Sequence, residues 1–272
     1  MKTHLQYSNL LVFDIFDAEK DITHFTTTRE GGVSTGEFFS FNMGNFSDDS
    51  PLNIYENRMR LARMFYMDLD EFITPHQTHG TKVLSVNDDF LNLEHSNAIE
   101  TLYGIDAVVT DVKGIFLCVN TADCVPVILY DKKRRVTAAI HAGWKGTGGR
   151  ILENCIYNMQ DNYGSSADDI VAGIGPAISM VNYEVGVEVV DYFVNNGFDI
   201  SDPSVYIKNN TSIKYNIDLK EINRRELIRL GVSESRIEKS ELCTFDNDKL
   251  FFSARRQTVH SGRMLTGIMM NG

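Results

Sequence analysis

Long apolar runs are missing from this chain. No stretch approaches the eighteen or so residues of a membrane-spanning helix, so no membrane partner is expected. Cysteine is scarce: Cys118, Cys124, Cys155 and Cys243 form no CxxC pair and have no disulfide-scaffold density. The N-terminal stretch MKTHLQYSNLLVFDIFDAEKD has acidic residues breaking its apolar run and no small-residue cleavage site, unlike a secretory signal. Reduced thiols in a cytoplasmic protein are therefore expected. Basic residues are in deficit, 26 Lys+Arg against 37 Asp+Glu for a net charge of −11, which argues against nucleic acid as a partner. The one dense basic cluster, Lys132-Lys133-Arg134-Arg135, lies between two apolar runs and reads as a solvated hairpin turn. Repeats, low-complexity tracts and Pro-rich linkers are also lacking.

What is there is ordinary globular material, 43% hydrophobic and 23% charged over 272 residues. A chain this long buries roughly three quarters of its unfolded surface without staples. Its densest motifs, at 76–81, 118–126 and 139–147, are central, which favours one domain over 1–272. Short β-branched and apolar runs predict strands at Leu10–Phe16, Ile22–Thr27, Asp106–Thr110, Ile115–Thr121, Val125–Tyr130, Val136–His141, Ile170–Ile174, Ile237–Cys243, Leu250–Ala254 and Met264–Met269. Helical spacing of apolar residues predicts helices over Asn53–Tyr66, Gly146–Tyr163, Glu184–Asn195 and Asp218–Leu230. Gly197 and Gly231 stand where left-handed caps would close the last two. Strand runs with inserted helices, rather than strict alternation, predict an α+β (mixed α/β layered) fold.

Three segments place unusual polar chemistry among the apolar strands: Thr74–Thr81, Val119–Pro126 and Ala139–Thr147. They offer His79, Cys124 and His141, a donor set that zinc takes with a fourth position open in catalytic sites. Scattered His and Cys are common, so spacing alone also allows a buried thiol and two hydrogen-bonded histidines. His76 and His79 in HQTHG fail the HExxH pattern of zinc proteases. The HxE…PCxxC signature of zinc deaminases is absent too. Asp123 beside Cys124 is a candidate acid or base, or a residue orienting a ligand. Arg29, before Gly31-Gly32, is a candidate anion contact or a plain surface charge. The turn around Trp144 opens a helix and suits an anion such as phosphate.

These motifs also carry a resemblance. Thr28–Ser34, His76–Thr81, Thr121–Pro126, His141–Thr147, Gly175–Ile178, Tyr183–Gly186, Cys243-Thr244 and Phe251–Arg256 resemble, in order and over nearly the whole chain, the laccase-domain family. That family is also called multicopper polyphenol oxidoreductases and is now treated as purine nucleoside phosphorylases. The resemblance implies a single α/β domain with zinc on His79, Cys124 and His141. It implies phosphorolysis of adenosine, inosine, guanosine and methylthioadenosine, adenosine deamination, and polar roles for Arg29 and Asn42. Purine nucleoside and phosphate are then the expected partners; the sequence does not fix the oligomeric state. Two positions depart from the family: Lys145, often Arg, and Ala254, often aromatic.

Alternative readings are a polyphenol (laccase-like) copper oxidoreductase and a zinc-stabilised binding protein. A multicopper oxidase needs a His₂Cys site and a histidine-rich cluster besides. Seven histidines without a His-X-His pair are too few, so copper is a weaker expectation than zinc. A closed four-ligand site would favour the binding protein, and an open one catalysis.

Overall fold

The computed structural model describes residues 1–45, 47–199, 201–208, 214–258 and 260–272. Two six-stranded mixed sheets lie face to face. One runs in the order Lys2–Thr3, Leu10–Val12, Ile22–Thr27, Met264–Met270, Phe116–Thr121, Phe72–Ile73. The other runs Ile237–Lys239, Ile170–Ile174, Val125–Asp131, Val136–Ala142, Ala107–Thr110, Val83–Ser85. A three-stranded sheet of Glu184–Val185, Tyr215–Ile217 and Tyr206–Lys208 is separate. The fold is α+β, as the strand-rich pattern implied.

Alternation along the strands separates the layers. In Val125–Asp131, Val125, Val127 and Leu129 pack beneath helix Ile151–Tyr163 with Cys155, Ile156 and Met159. Ile128 and Tyr130 face the other sheet and meet Leu117, Val119 and Ile268. Helix Pro51–Met64 covers that sheet's outer face, where Leu61 joins Phe25, Phe116 and Cys118. Both faces of each central strand are therefore buried, which explains why these segments read as continuous apolar runs.

Several predicted elements end early, each for a local reason. Leu10–Phe16 is a strand only to Val12; Asp14–Phe16 turns as a 3-10 helix, closed by the Asp17 N–H donating to the Asp14 carbonyl. The helix predicted over Gly146–Tyr163 breaks into Trp144–Gly148 and Ile151–Tyr163. Arg150 between them is left-handed, at φ 69°, and its guanidinium holds Glu226 and the Asn196 carbonyl. In Glu184–Asn195 the first two residues pair as a strand, and the helix starts at Val187. Helix Asn53–Tyr66 shifts to Pro51–Met64, since proline suits the first helical position. Ile237–Cys243 is a strand only to Lys239. Leu250–Ala254 forms no strand; Ser253 instead caps the short helix Ala254–Gln257. The basic turn does join a hairpin, with the Asp131 carboxylate accepting the Lys133 and Arg134 N–H groups. Gly197 and Gly231 are left-handed, at φ 74° and 100°, as helix-ending glycines are.

Candidate active site

The site lies where strand ends of the two large sheets meet. Along Val136–Ala142 the residues Ala138, Ile140 and Ala142 face the helices, so Ala139 and His141 face the opposite sheet. The neighbouring strand places Asp106 beside His141, whose N–H donates to the Asp106 carbonyl at 2.8 Å. The two side chains also join, His141 Nδ1 to Asp106 Oδ1 at 2.8 Å. A proton on Nδ1 leaves Nε2 as the free ligand atom.

Asp106 is fully buried and collects the loop that carries His79. Its oxygens accept N–H groups from Thr78 at 3.2 Å, His79 at 3.0 Å and Gly80 at 2.7 Å. Burial alone would raise the Asp106 pKa; the His141 hydrogen bond, its charge and the loop amides bring it below the ordinary value. Gln77 ties the same loop to the other sheet, its amide donating to the Asn120 carbonyl and accepting the Asn120 N–H, both at 2.8 Å. His79 itself is left-handed, at φ 62°, a strain for a non-glycine residue that these contacts hold in place.

Cys124 enters from the connection between the sheets, just before Val125–Asp131. The ligand atoms of His79, Cys124 and His141 all lie within 4.8 Å of one another. Among the described residues no fourth His, Cys, Asp or Glu joins them. Burial pushes the Cys124 thiol up, but the His141 charge and the two histidine hydrogen bonds pull it down to about 6. Burial lowers His141, yet Cys124 and Asp106 raise it to about 9. A thiolate facing imidazole donors is the ligand chemistry of a transition metal. Gly143 completes the cradle: a Cβ there would stand 3.0 Å from His79 Cδ2 and 3.1 Å from Cys124 Sγ. The residues present thus fit a metal ion.

The cluster opens into a cavity of about 670 Å³ lined also by His76, Asn120, Trp144, Tyr183, Arg255 and Arg263. Asp123 is on its wall, but its carboxylate is occupied. It accepts from the Thr244 hydroxyl at 2.6 Å, the Ser253 hydroxyl at 3.0 Å and the Arg255 N–H at 2.7 Å. Arg29 and Asn42 are not in the lining. Arg29 donates to the carbonyls of Phe39 and Asp248 and stacks 4.6 Å over Phe252. Asn42 is fully buried behind the wall, where its Oδ1 accepts the N–H groups of Gly44 and Arg263, two lining residues. Lys145 lies 5.5 Å over the Trp144 ring.

Sequence reasoning passed over Asp106, Gln77, Tyr183, Arg255 and Arg263 as site residues. Asp106 carried a local signal, an acid opening an apolar run, and Gln77, Tyr183 and Arg255 lie within motifs that carry the resemblance. Gln77 shares the His79 loop, whereas Tyr183, Arg255 and Arg263 sit in segments that reach the site only on folding.

Comparison with known proteins places the chain in a family. The family model described as multi-copper polyphenol oxidoreductase laccase matches residues 23–271. The chain belongs to that family. Within the laccase family it is similar to a Bacteroides thetaiotaomicron protein named purine nucleoside phosphorylase, 40% identical over 262 residues and 96% of each chain. It is 36% identical over 255 residues to adenosine deaminase RL5 from an unknown prokaryotic organism, covering 94% of this chain and 96% of that one. The crystal structure of the Bacillus licheniformis hypothetical protein YfiH superposes with a TM-score of 0.90 over 98% of both chains at 32% identity.

Proposed function

We propose that this laccase-family chain is a zinc-dependent purine nucleoside phosphorylase of the cytoplasm that also deaminates adenosine, with adenosine, inosine, guanosine and methylthioadenosine as substrates. The observation that carries the proposal is a three-ligand His79–Cys124–His141 cluster opening onto a cavity lined by two arginines, Arg255 and Arg263. Relatives named purine nucleoside phosphorylase and adenosine deaminase support the two reactions.

His79, Cys124 and His141 would hold zinc, which supplies Lewis acidity and activates water near neutral pH. Asp106 fixes the His141 ring and the His79 loop, so the ligands need little reorganisation. Trp144 and Tyr183 offer aromatic walls for a purine. Arg255 and Arg263 offer donors for phosphate, and guanidinium binds phosphate in bidentate fashion. In phosphorolysis a phosphate oxygen bonds to C1′ of the ribose as the C1′–N9 bond breaks. The electron pair leaves with the purine, which takes up a proton, and ribose 1-phosphate remains. In deamination water adds at C6 of adenosine, and ammonia leaves to give inosine.

A copper oxidase reading finds no support in the ligand inventory. Among the described residues no second group of three or more His, Cys, Asp or Glu could build a multinuclear centre. The three-ligand set also favours catalysis over a closed structural metal.

The test incubates zinc-loaded protein with adenosine, with and without phosphate, and separates the products. Adenine that depends on phosphate, together with inosine, is the expected result. Neither product at stoichiometric zinc would overturn the proposal.

A further inference from the structure

We infer that Asp123 is a positioning residue that holds Arg255 in place for phosphate, and so sets the balance between phosphorolysis and deamination. This inference rests on the nucleoside reading of the site.

Asp123 sits in the turn joining Phe116–Thr121 of one sheet to Val125–Asp131 of the other. Its backbone is left-handed, at φ 83°, a conformation uncommon for a residue with a side chain. Three remote segments fasten onto it. Ile178 donates its N–H to the Asp123 carbonyl at 3.1 Å. Thr244 donates its hydroxyl to Oδ1 and its N–H to the Ala177 carbonyl. Ser253 and Arg255 both donate to Oδ2. Ser253 in turn accepts the Arg256 N–H and caps helix Ala254–Gln257. A helix of one turn has no independent stability, so its place depends on such anchors.

Arg255 is thereby presented with its guanidinium at the cavity. One nitrogen donates to the Glu184 carbonyl at 3.0 Å, and the group lies 5.3 Å from the Tyr183 ring centroid. The same nitrogen also donates to the Asn182 carbonyl at 3.4 Å; among the described residues Arg255 forms no ion pair with a carboxylate, and its Nε and Nη2 have no protein acceptor. An exposed arginine fixed at its backbone and lacking an acid suits a small dianion such as phosphate. Asp123, with three donors already on its two oxygens, suits positioning better than proton transfer.

Phosphate is a substrate of phosphorolysis and takes no part in deamination. Loosening the Arg255 anchor should therefore act on one reaction alone. In the Asp123→Asn protein loaded with zinc, the KM for phosphate should rise about tenfold or more, with deamination of adenosine retained. Direct binding of inorganic phosphate, read by fluorescence of Trp144, should weaken in parallel; Trp144 is the single tryptophan and lines the cavity. Thr244→Val, which removes one anchor at similar volume, should shift both readouts the same way by less. It carries the test if Asp123→Asn does not fold. An equal loss of both reactions at unchanged phosphate binding would overturn the inference and make Asp123 a proton-transfer group. So would an unchanged phosphate affinity. Failure of the nucleoside reading shows separately, as wild-type protein with no phosphate-dependent adenine.

Discussion

Two aspartates flank the cluster, and their surroundings differ. Asp106 is fully buried, and its four short contacts go to His141 and to the backbone of the His79 loop. Asp123 lies on the cavity wall, and its carboxylate contacts go to Thr244, Ser253 and Arg255. The first carboxylate orients ligand groups, and the second orients the segment that carries a cation. Both are held by hydrogen bonds that could form only after chain segments far apart in sequence had met. Two identical side chains thus differ in role through the partners that folding supplies.

The largest effect expected on either flank comes from the cluster itself. Cys124→Ala removes the thiolate between the two histidines and should abolish both metal retention and turnover, measured by metal content after dialysis and by product formation. Asp106→Asn comes next. It leaves the His141 ring without its anionic partner, and metal affinity should fall about 10–100-fold, read by competition with a chelator. Asp123→Asn should leave metal affinity unchanged; a comparable loss there would erase the contrast between the two flanks.

Gly143→Ala probes the cradle both flanks share. The added methyl would crowd His79 and Cys124, which must each yield by a few tenths of an ångström. Weaker metal binding with an unaltered unfolding midpoint is the expected outcome. The smallest effect on the site comes from a half-buried histidine far from it. His24 accepts the Phe13 N–H and packs against the Phe13 and Phe16 rings, and burial lowers its pKa to about 4. Neutral His24 is favoured in the folded state, so the unfolded chain binds the extra proton between pH 6.5 and about 4. Stability should fall as pH drops through that window, by roughly 3 kcal/mol once below it. Denaturant titrations at a series of pH values would check this. A His24→Gln variant that kept the full slope would assign it to other groups.

Much of the fold was legible because both faces of the central strands are buried. Runs such as Val125–Tyr130 and Val136–His141 have little choice of environment, and each lies within one residue of its observed strand. Boundaries failed where a single polar contact outweighed local pattern. Arg150, reaching Glu226, broke a helix that apolar spacing alone would continue, and Ser253 capped a helix where a strand was expected. For the site, His79, Cys124 and His141 stood out as donors of the right chemistry. Arg29, read from its place before Gly31-Gly32 and from the resemblance, and Asn42, read from the resemblance alone, lie outside the cavity lining.

The sequence by itself determined the layered α+β class, the reserve of metal-ligating side chains and the shortage of ligands for a multinuclear copper centre. These follow from composition and short-range periodicity, which act within one turn or one strand. Tertiary structure alone decided that three donor atoms converge, that Asp106 rather than Asp123 braces the histidines, and that Arg255 and Arg263 reach the same cavity. Each of those facts joins residues tens to more than a hundred positions apart. No local pattern encodes such a distance; it is set when two sheets bury their shared face and bring their strand ends together.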